Sequence, residues 1–318
     1  MNREYGYSPS DATLSNLDKL SRKNSEIDEL RILEINDIAS SAAAVSAELM
    51  DQGLGIYDAI SFVSEGVSFG SYPLADTPIP KSAAHLSAAV GKMRGLDRAR
   101  FADLFASRLF ELGHTVSEWD YLPAQSVEAT FTYVKNRFSD EAYDVLSADY
   151  DDPRVRYSDS FKACARALDE GAVSYCLVPL EEKGGARLPG IAELIYRHDF
   201  KINAVTPVFG FEGDADLKYA LISKHFRVHD RDEGDDRYLE LRVGTSSDPQ
   251  LAELLGVASY FGMSAYRVNT VTIPAEGEST AVFSIVLREG AAGLVPMLTY
   301  IALFASDFVP VGVYKNLE

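Results

Sequence analysis

The chain has 318 residues, with 30 Lys and Arg against 48 Asp and Glu, giving a formal net charge of −18. An acid excess of that size repels phosphate backbones and anionic bilayers, which argues against nucleic acid and membrane surfaces as general partners. Hydrophobic residues at 47% and aromatic residues at 11% supply real cores and exclude a disordered chain.

Residues 1–122 read as a helical region. Leu14, Leu17 and Leu20, then Ile27, Leu30, Ile32, Leu33, Ile35 and Ile38, recur at helical intervals, and an alanine-rich stretch carries the pattern on to Gly53 and Gly55. Residues 57–64 suggest a short second helix, and the Gly/Pro/Ser-rich 66–80 a loop. Residues 96–112 form the clearest helix: Phe101, Leu104, Phe105, Leu109 and Leu112 share a face, and Gly113 stops it. The first 30 residues are polar, without the apolar run of a signal peptide. The one segment that imitates a membrane span, 293–314, is broken by Pro296, Asp307 and Pro310 and divides into a helix and a strand. A soluble, cytoplasmic protein is expected.

The character changes at Pro123. Over 123–229 strands (127–134, 155–157, 172–179, 201–209) alternate with helices (139–147, with Ser139 as N-cap; 160–170; 189–198). That βαβ rhythm predicts an α/β sheet. From 237 to 318 the order is β-α-β-β-α-β, the ferredoxin-like arrangement. Residues 225–236 read as a charged linker. There His225 and His229, among Asp230, Asp232, Glu233, Asp235 and Asp236, have the spacing of metal ligands but the composition of solvated linker. The two cysteines, Cys164 and Cys176, read as buried reduced thiols. Charge is uneven: 11 basic and 18 acidic residues over 1–125, 13 and 17 over 126–229, 6 and 13 over 230–318. The middle segment is therefore the least acidic.

Several segments carry a resemblance. Phe138-Ser139-Asp140-Glu141-Ala142 is similar to an FSEEA-like helix start. Ser160-Phe161 with 172–181 (AVSYCLVPLE) is similar to an SF…ADY-hVPIE stretch, 200–207 (FKINAVTP) to an LP-ending strand, and 219–223 to an FLVIS-like strand. Val311-Gly312-Val313-Tyr314 stands where a GCYP-like end is found. In order and spacing, residues 127–318 resemble prephenate dehydratase followed by its regulatory ACT domain. The resemblance implies a helical N-terminal region with the position and size of a chorismate mutase, a partial periplasmic-binding-like α/β lobe and a C-terminal ferredoxin-like ACT domain. It also implies no cofactor, no metal, a small aromatic or dicarboxylate ligand, and a homodimer or higher homo-oligomer.

The family couples loss of CO2 from prephenate to loss of a ring hydroxyl, which needs a proton donor at the ring oxygen and donors for two carboxylates. Where it has Thr-Arg-Phe, this chain has Leu217-Lys218-Tyr219, and leucine donates no proton. Where it has Glu-Asn-Ser, the chain has Glu181-Glu182-Lys183, followed by Ala186-Arg187; its Gly-rich turn reads Tyr133-Val134-Lys135-Asn136-Arg137. A short segment joins Pro207 to Leu217 where the family has a second lobe. Positions 32–53 contain no Arg or Lys for a mutase substrate. Candidate ligand residues are Arg137, Ser139, Glu181, Glu182, Lys183, Arg187 and Lys218, with Asp248, Gln250 and Asn269 at ACT ligand positions. The expected function is ligand sensing or regulation linked to phenylalanine metabolism. The alternative is an active prephenate dehydratase or a bifunctional chorismate mutase/prephenate dehydratase.

Overall fold

The computed structural model describes residues 11–65, 79–210, 215–228, 237–244, 251–274, 279–290 and 293–315. Most of the expected 66–80 loop and residues 229–236 lie outside these. A helical layer comes first: α1 (Asp11–Asp51), α2 (Ile56–Glu65), α3 (Ile79–Val90), α4 (Leu96–Glu111) and the one-turn α5 (Glu118–Tyr121). The α1 helix ends where Gly53 takes a φ of 93°, open to glycine at little cost, and its N–H closes on the Met50 carbonyl at 2.9 Å.

An α/β unit follows: β1 (Thr130–Val134), α6 (Arg137–Leu146), β2 (Arg154–Ser158), α7 (Phe161–Asp169), β3 (Tyr175–Glu182), α8 (Pro189–Arg197), β4 (Lys201–Phe209) and β5 (Ala215–Ser223). The sequence predicts a helix from Ser139, with that serine as N-cap. The cap is instead Asn136, whose side chain accepts from the Ser139 N–H at 3.0 Å while Ser139 Oγ accepts from the Asn136 N–H at 2.8 Å. This reciprocal pair satisfies two backbone donors and moves the helix start back by two residues. Strand β3 begins later than read because the Ala172 N–H turns back to the Ala167 carbonyl, and it runs to Glu182 because pairing with β5 resumes after a bulge beyond Pro179.

The last unit is β6 (Arg237–Gly244), α9 (Leu251–Tyr260), β7 (Ser264–Pro274), β8 (Ser279–Arg288), α10 (Val295–Phe304) and β9 (Phe308–Lys315), in the β-α-β-β-α-β order read from sequence. All strands join one nine-stranded sheet, order β2-β1-β3-β5-β4-β9-β6-β8-β7. The fold is thus mixed, with N-terminal helices, an α/β unit and a ferredoxin-like unit. Among the described residues no helix is long and apolar enough to cross a membrane.

One register pair, Ile202 with Gly312, joins β4 to β9 and so the two half-sheets. A Cβ on Gly312 would lie 2.9 Å from Ile202 Cβ and 3.0 Å from the Ile202 carbonyl oxygen, so no side chain fits this seam. Gly312→Ala should cost about 1–3 kcal/mol through forced displacement, read as a lower urea midpoint; an unchanged midpoint would contradict the tight seam.

Burial assigns the faces. Leu239 and Leu241 on β6 pack into a core with α4, α9, α10 and the N-terminal helices. Helices α7 and α8 cover one side of β3–β5, in a core that also takes in Tyr238, Val286 and Tyr314. An aromatic-rich core under α6 covers the other side of the α/β unit. The second face of the ferredoxin-like sheet therefore shares its core with the α/β unit, and the polar residues described next lie on that shared face.

Candidate ligand-binding site

Strand alternation places Tyr238 and Glu240 on the face opposite Leu239 and Leu241. Glu240 is 1% exposed. A buried carboxylate needs partners, and it has four. Its Oε1 accepts from Tyr196 Oη on α8 at 3.2 Å and from Ser284 Oγ on β8 at 3.0 Å. Its Oε2 accepts from Tyr314 Oη on β9 at 3.1 Å and from Arg187 Nη2.

Arg187 reaches this position through a tight turn. The Glu182 N–H donates to the Ala186 carbonyl at 2.9 Å and the Gly185 N–H to the Glu182 carbonyl at 2.8 Å, with Gly184 and Gly185 at φ of 90° and 82°. A Cβ on Gly185 would sit 2.5 Å from Nη2 of Arg267, whose guanidinium crosses this glycine from β7. Arg267 then pairs with Glu181, which is 4% exposed, and Arg187 Nε lies 3.8 Å from the same carboxylate oxygen. Two arginines and two glutamates thus share one enclosed space with no net charge.

Burial works against the Arg187 charge, but Glu240, Tyr314 and Glu181 outweigh it and hold the guanidinium above its usual range. Arg267 follows the same pattern, with its bond to Glu181 overcoming burial. Burial, reinforced by Glu240, pushes the Tyr196 and Tyr314 phenols up. Phenols raised in the folded state contribute stability that is intact below the ordinary tyrosine value of about 10 and drains as pH rises beyond it. Urea midpoints measured against pH should therefore hold up to about pH 10 and then fall, less steeply in Tyr196→Phe. A flat profile through the alkaline range would contradict the enclosure.

Some polar atoms here remain unmatched. Glu181 Oε2, Arg187 Nε and Nη1, and Asn269 Nδ2 are buried without a hydrogen-bond partner. Beside them Glu181, Val205, Lys218, Tyr238, Tyr266 and Tyr314 line a cleft of about 10 Å³, the room of a single water. Lys218 Nζ lies 3.5 Å from Tyr266 Oη at its edge, and the Tyr266 and Tyr238 rings meet edge to face with centroids 5.1 Å apart. One unmatched acceptor, several unmatched donors and three tyrosine rings are the groups that recognise an ammonium, a carboxylate and an aromatic ring.

Glu181, Arg187, Lys218 and Asn269, candidates from the sequence, converge here. Register explains three of them: Glu181 pairs with Lys218 across β3 and β5, and Asn269 with Ser284 across β7 and β8. The others go elsewhere. Ser139 is buried, and its hydroxyl is spent at the α6 start, donating toward the Val134 and Asn136 carbonyls at 2.9 Å. Arg137 opens α6 at the surface, and Glu182 and Lys183 are exposed on the turn. Leu217 packs at the edge of the aromatic-rich core and Tyr219 is buried within it. Asp248 and Gln250 lie outside the described residues, as does His229. The His225 carbonyl accepts from Ser223 Oγ and Asn203 Nδ2. Among the described residues no group of three His, Cys, Asp or Glu is placed to hold a metal. Cys164 and Cys176 are free and buried.

Glu240, Arg267, Tyr196, Tyr314 and Ser284 were not singled out from sequence. The one available signal was a lone glutamate in mid-strand, between Leu239 and Leu241.

No family model matches the sequence, and no curated protein matches it. Among solved structures, the chain is similar to a prephenate dehydratase from Streptococcus mutans at 12% identity and a TM-score of 0.47, covering 59% of this chain and 99% of that one. It is similar to GqqA, described as a novel type of quorum quenching acylase, at 16% identity and a TM-score of 0.43, covering 59% and 96%. It is also similar to a prephenate dehydratase from Arthrobacter aurescens in complex with L-Phe, at 11% identity and a TM-score of 0.43, covering 58% and 89%.

Proposed function

We propose that this protein is a ligand-sensing, regulatory protein of aromatic amino acid metabolism, and that its ligand is a zwitterionic aromatic amino acid received at the cluster of Glu181, Arg187 and Arg267. The observation that carries this reading is the unmatched carboxylate oxygen of Glu181 beside unmatched Arg187 donors, next to a cleft lined by Tyr238, Tyr266 and Tyr314. Glu181 Oε2 suits an ammonium, the Arg187 donors suit a carboxylate, and the rings suit an aromatic side chain.

A dianionic substrate is poorly served by the same site. The cations are already neutralised by two buried glutamates, and Leu217 offers no proton where the resemblance requires a donor. At about 10 Å³ the cleft has room for a single water, so an amino acid is admitted only if the Lys218–Tyr266 edge parts. Binding is thereby coupled to the relation between β5 and β7, which belong to the α/β and ferredoxin-like units. Coupling of that kind is what a sensor needs.

A thermal-shift screen of L-Phe, L-Tyr, L-Trp, chorismate and prephenate tests the reading, because a ligand of the folded state raises the melting temperature by mass action. The expected result is a concentration-dependent rise with at least one amino acid and no formation of phenylpyruvate from prephenate. Phenylpyruvate produced at an enzyme-like rate would overturn it in favour of a dehydratase.

A further inference from the structure

The two cysteines meet inside the α/β unit, outside the cluster described above. Cys164 is on α7 and Cys176 on β3, and both lie buried in the same core. Thr132 on β1 connects them. It stands opposite Cys176 in the parallel register of β1 and β3, so the two side chains share a face, and its Oγ1 donates to Cys164 Sγ at 3.9 Å. Cys164 therefore rests over the Thr132–Cys176 pair, within hydrogen-bonding reach of the Cys176 thiol.

The surroundings treat the two sulfurs differently. Cys164 closes the first turn of α7, where its N–H donates to the Ser160 carbonyl at 3.0 Å, and the positive end of a helix favours a thiolate. The Cys176 thiol pulls Cys164 down to about 7 against the effect of burial, with help from the Ser158 and Thr132 hydroxyls. Burial, reinforced by Cys164, pushes the Cys176 thiol up. One sulfur is thus suited to attack as a thiolate, while the other keeps its proton.

Hydroxyls also mark a way in. Strand β2 is an outer strand of the sheet, and its last residue, Ser158, is partly exposed. Ser158 Oγ lies 2.8 Å from Thr132 Oγ1, which reaches Cys164. This file of polar groups runs from the sheet edge to the sulfur and suits an oxidant as small and polar as hydrogen peroxide.

From this arrangement we propose that Cys164 is a peroxide-oxidised thiol and that Cys176 resolves it to an intrachain disulfide tying α7 to β3. The Cys164 thiolate attacks one peroxide oxygen, the O–O bond breaks, and the departing hydroxide takes up the thiol's proton as water, leaving a sulfenic acid. The Cys176 sulfur then attacks the Cys164 sulfur, the S–O bond breaks, and the hydroxyl leaves with the Cys176 proton as a second water. Two thiols are oxidised to the disulfide and the peroxide is reduced to water.

The test treats the reduced, folded full-length chain with hydrogen peroxide, then maps its peptides by mass spectrometry without reduction. The two cysteine peptides should appear linked, and dithiothreitol should separate them. Cys176→Ser should stop at a sulfenic acid on Cys164 that dimedone captures, and Cys164→Ser should leave Cys176 a free thiol. Folded native chain that keeps both thiols, a Cys164 sulfenic acid that never becomes the disulfide, or a Cys176 oxidised as readily in Cys164→Ser would overturn the proposal.

Discussion

Arg187→Ala is expected to remove about 3–5 kcal/mol of folding stability, the cost of breaking a buried ion pair from one side. The guanidinium is 5% exposed and faces two carboxylates, Glu240 and Glu181, that are equally enclosed. Without it Glu240 keeps the Tyr196, Ser284 and Tyr314 hydroxyls but loses its only cationic partner among the described contacts. Pairing Arg187→Met with Glu240→Leu should recover only part of the loss. The buried charge is then gone, but three hydroxyls lose their acceptor, at roughly 1–3 kcal/mol for each left unsatisfied. Denaturant unfolding of the two variants distinguishes the cases. A near-native Arg187→Ala would mean that the cluster is open to water and not the enclosed site described above.

The second large effect is expected at Phe101. It is fully buried on α4, stacked on Phe105 at 6.0 Å and edge-on to Phe304 of α10 at 5.9 Å. This ring joins the N-terminal helices to the ferredoxin-like unit within one core. Phe101→Ala should cost about 3–5 kcal/mol, transfer and cavity terms together, with Phe101→Leu well below that. Because the core is continuous, the loss should appear as one transition shifted as a whole. Two transitions, with only the first displaced, would mean that the helical layer is only loosely attached.

Much of this fold is legible in the sequence. Gly53, Gly113 and Gly171 mark helix ends, Ser160 caps α7 and accepts from the Ala163 N–H at 3.2 Å, and the β-α-β-β-α-β order of residues 237–318 follows from apolar runs and turn residues. Boundaries were missed where a side chain decides them, as at Asn136, or where pairing crosses a bulge, as at Glu181. The site was harder. Glu181, Arg187, Lys218 and Asn269 were reached by resemblance, but what they meet could not be read. Tyr238-Leu239-Glu240-Leu241-Arg242 alternates like a strand with one wet face, and periodicity does not distinguish water from the hydroxyls of α8, β8 and β9. Arg267 carries no signal in the sequence, and only the shared core brings it over Gly185 to Glu181.

The cluster is expected to read both ends of an aromatic amino acid. Calorimetric titration of the full chain with L-Phe, L-Tyr and L-Trp, each against its 2-keto acid, tests it most directly. Each keto acid keeps the ring and carboxylate but lacks the ammonium that Glu181 Oε2 would meet. At least one amino acid should bind one per chain, and its keto acid at least about tenfold more weakly, a difference of ~1.4 kcal/mol. Equal binding of the two, or no binding by any of the three amino acids, would contradict it.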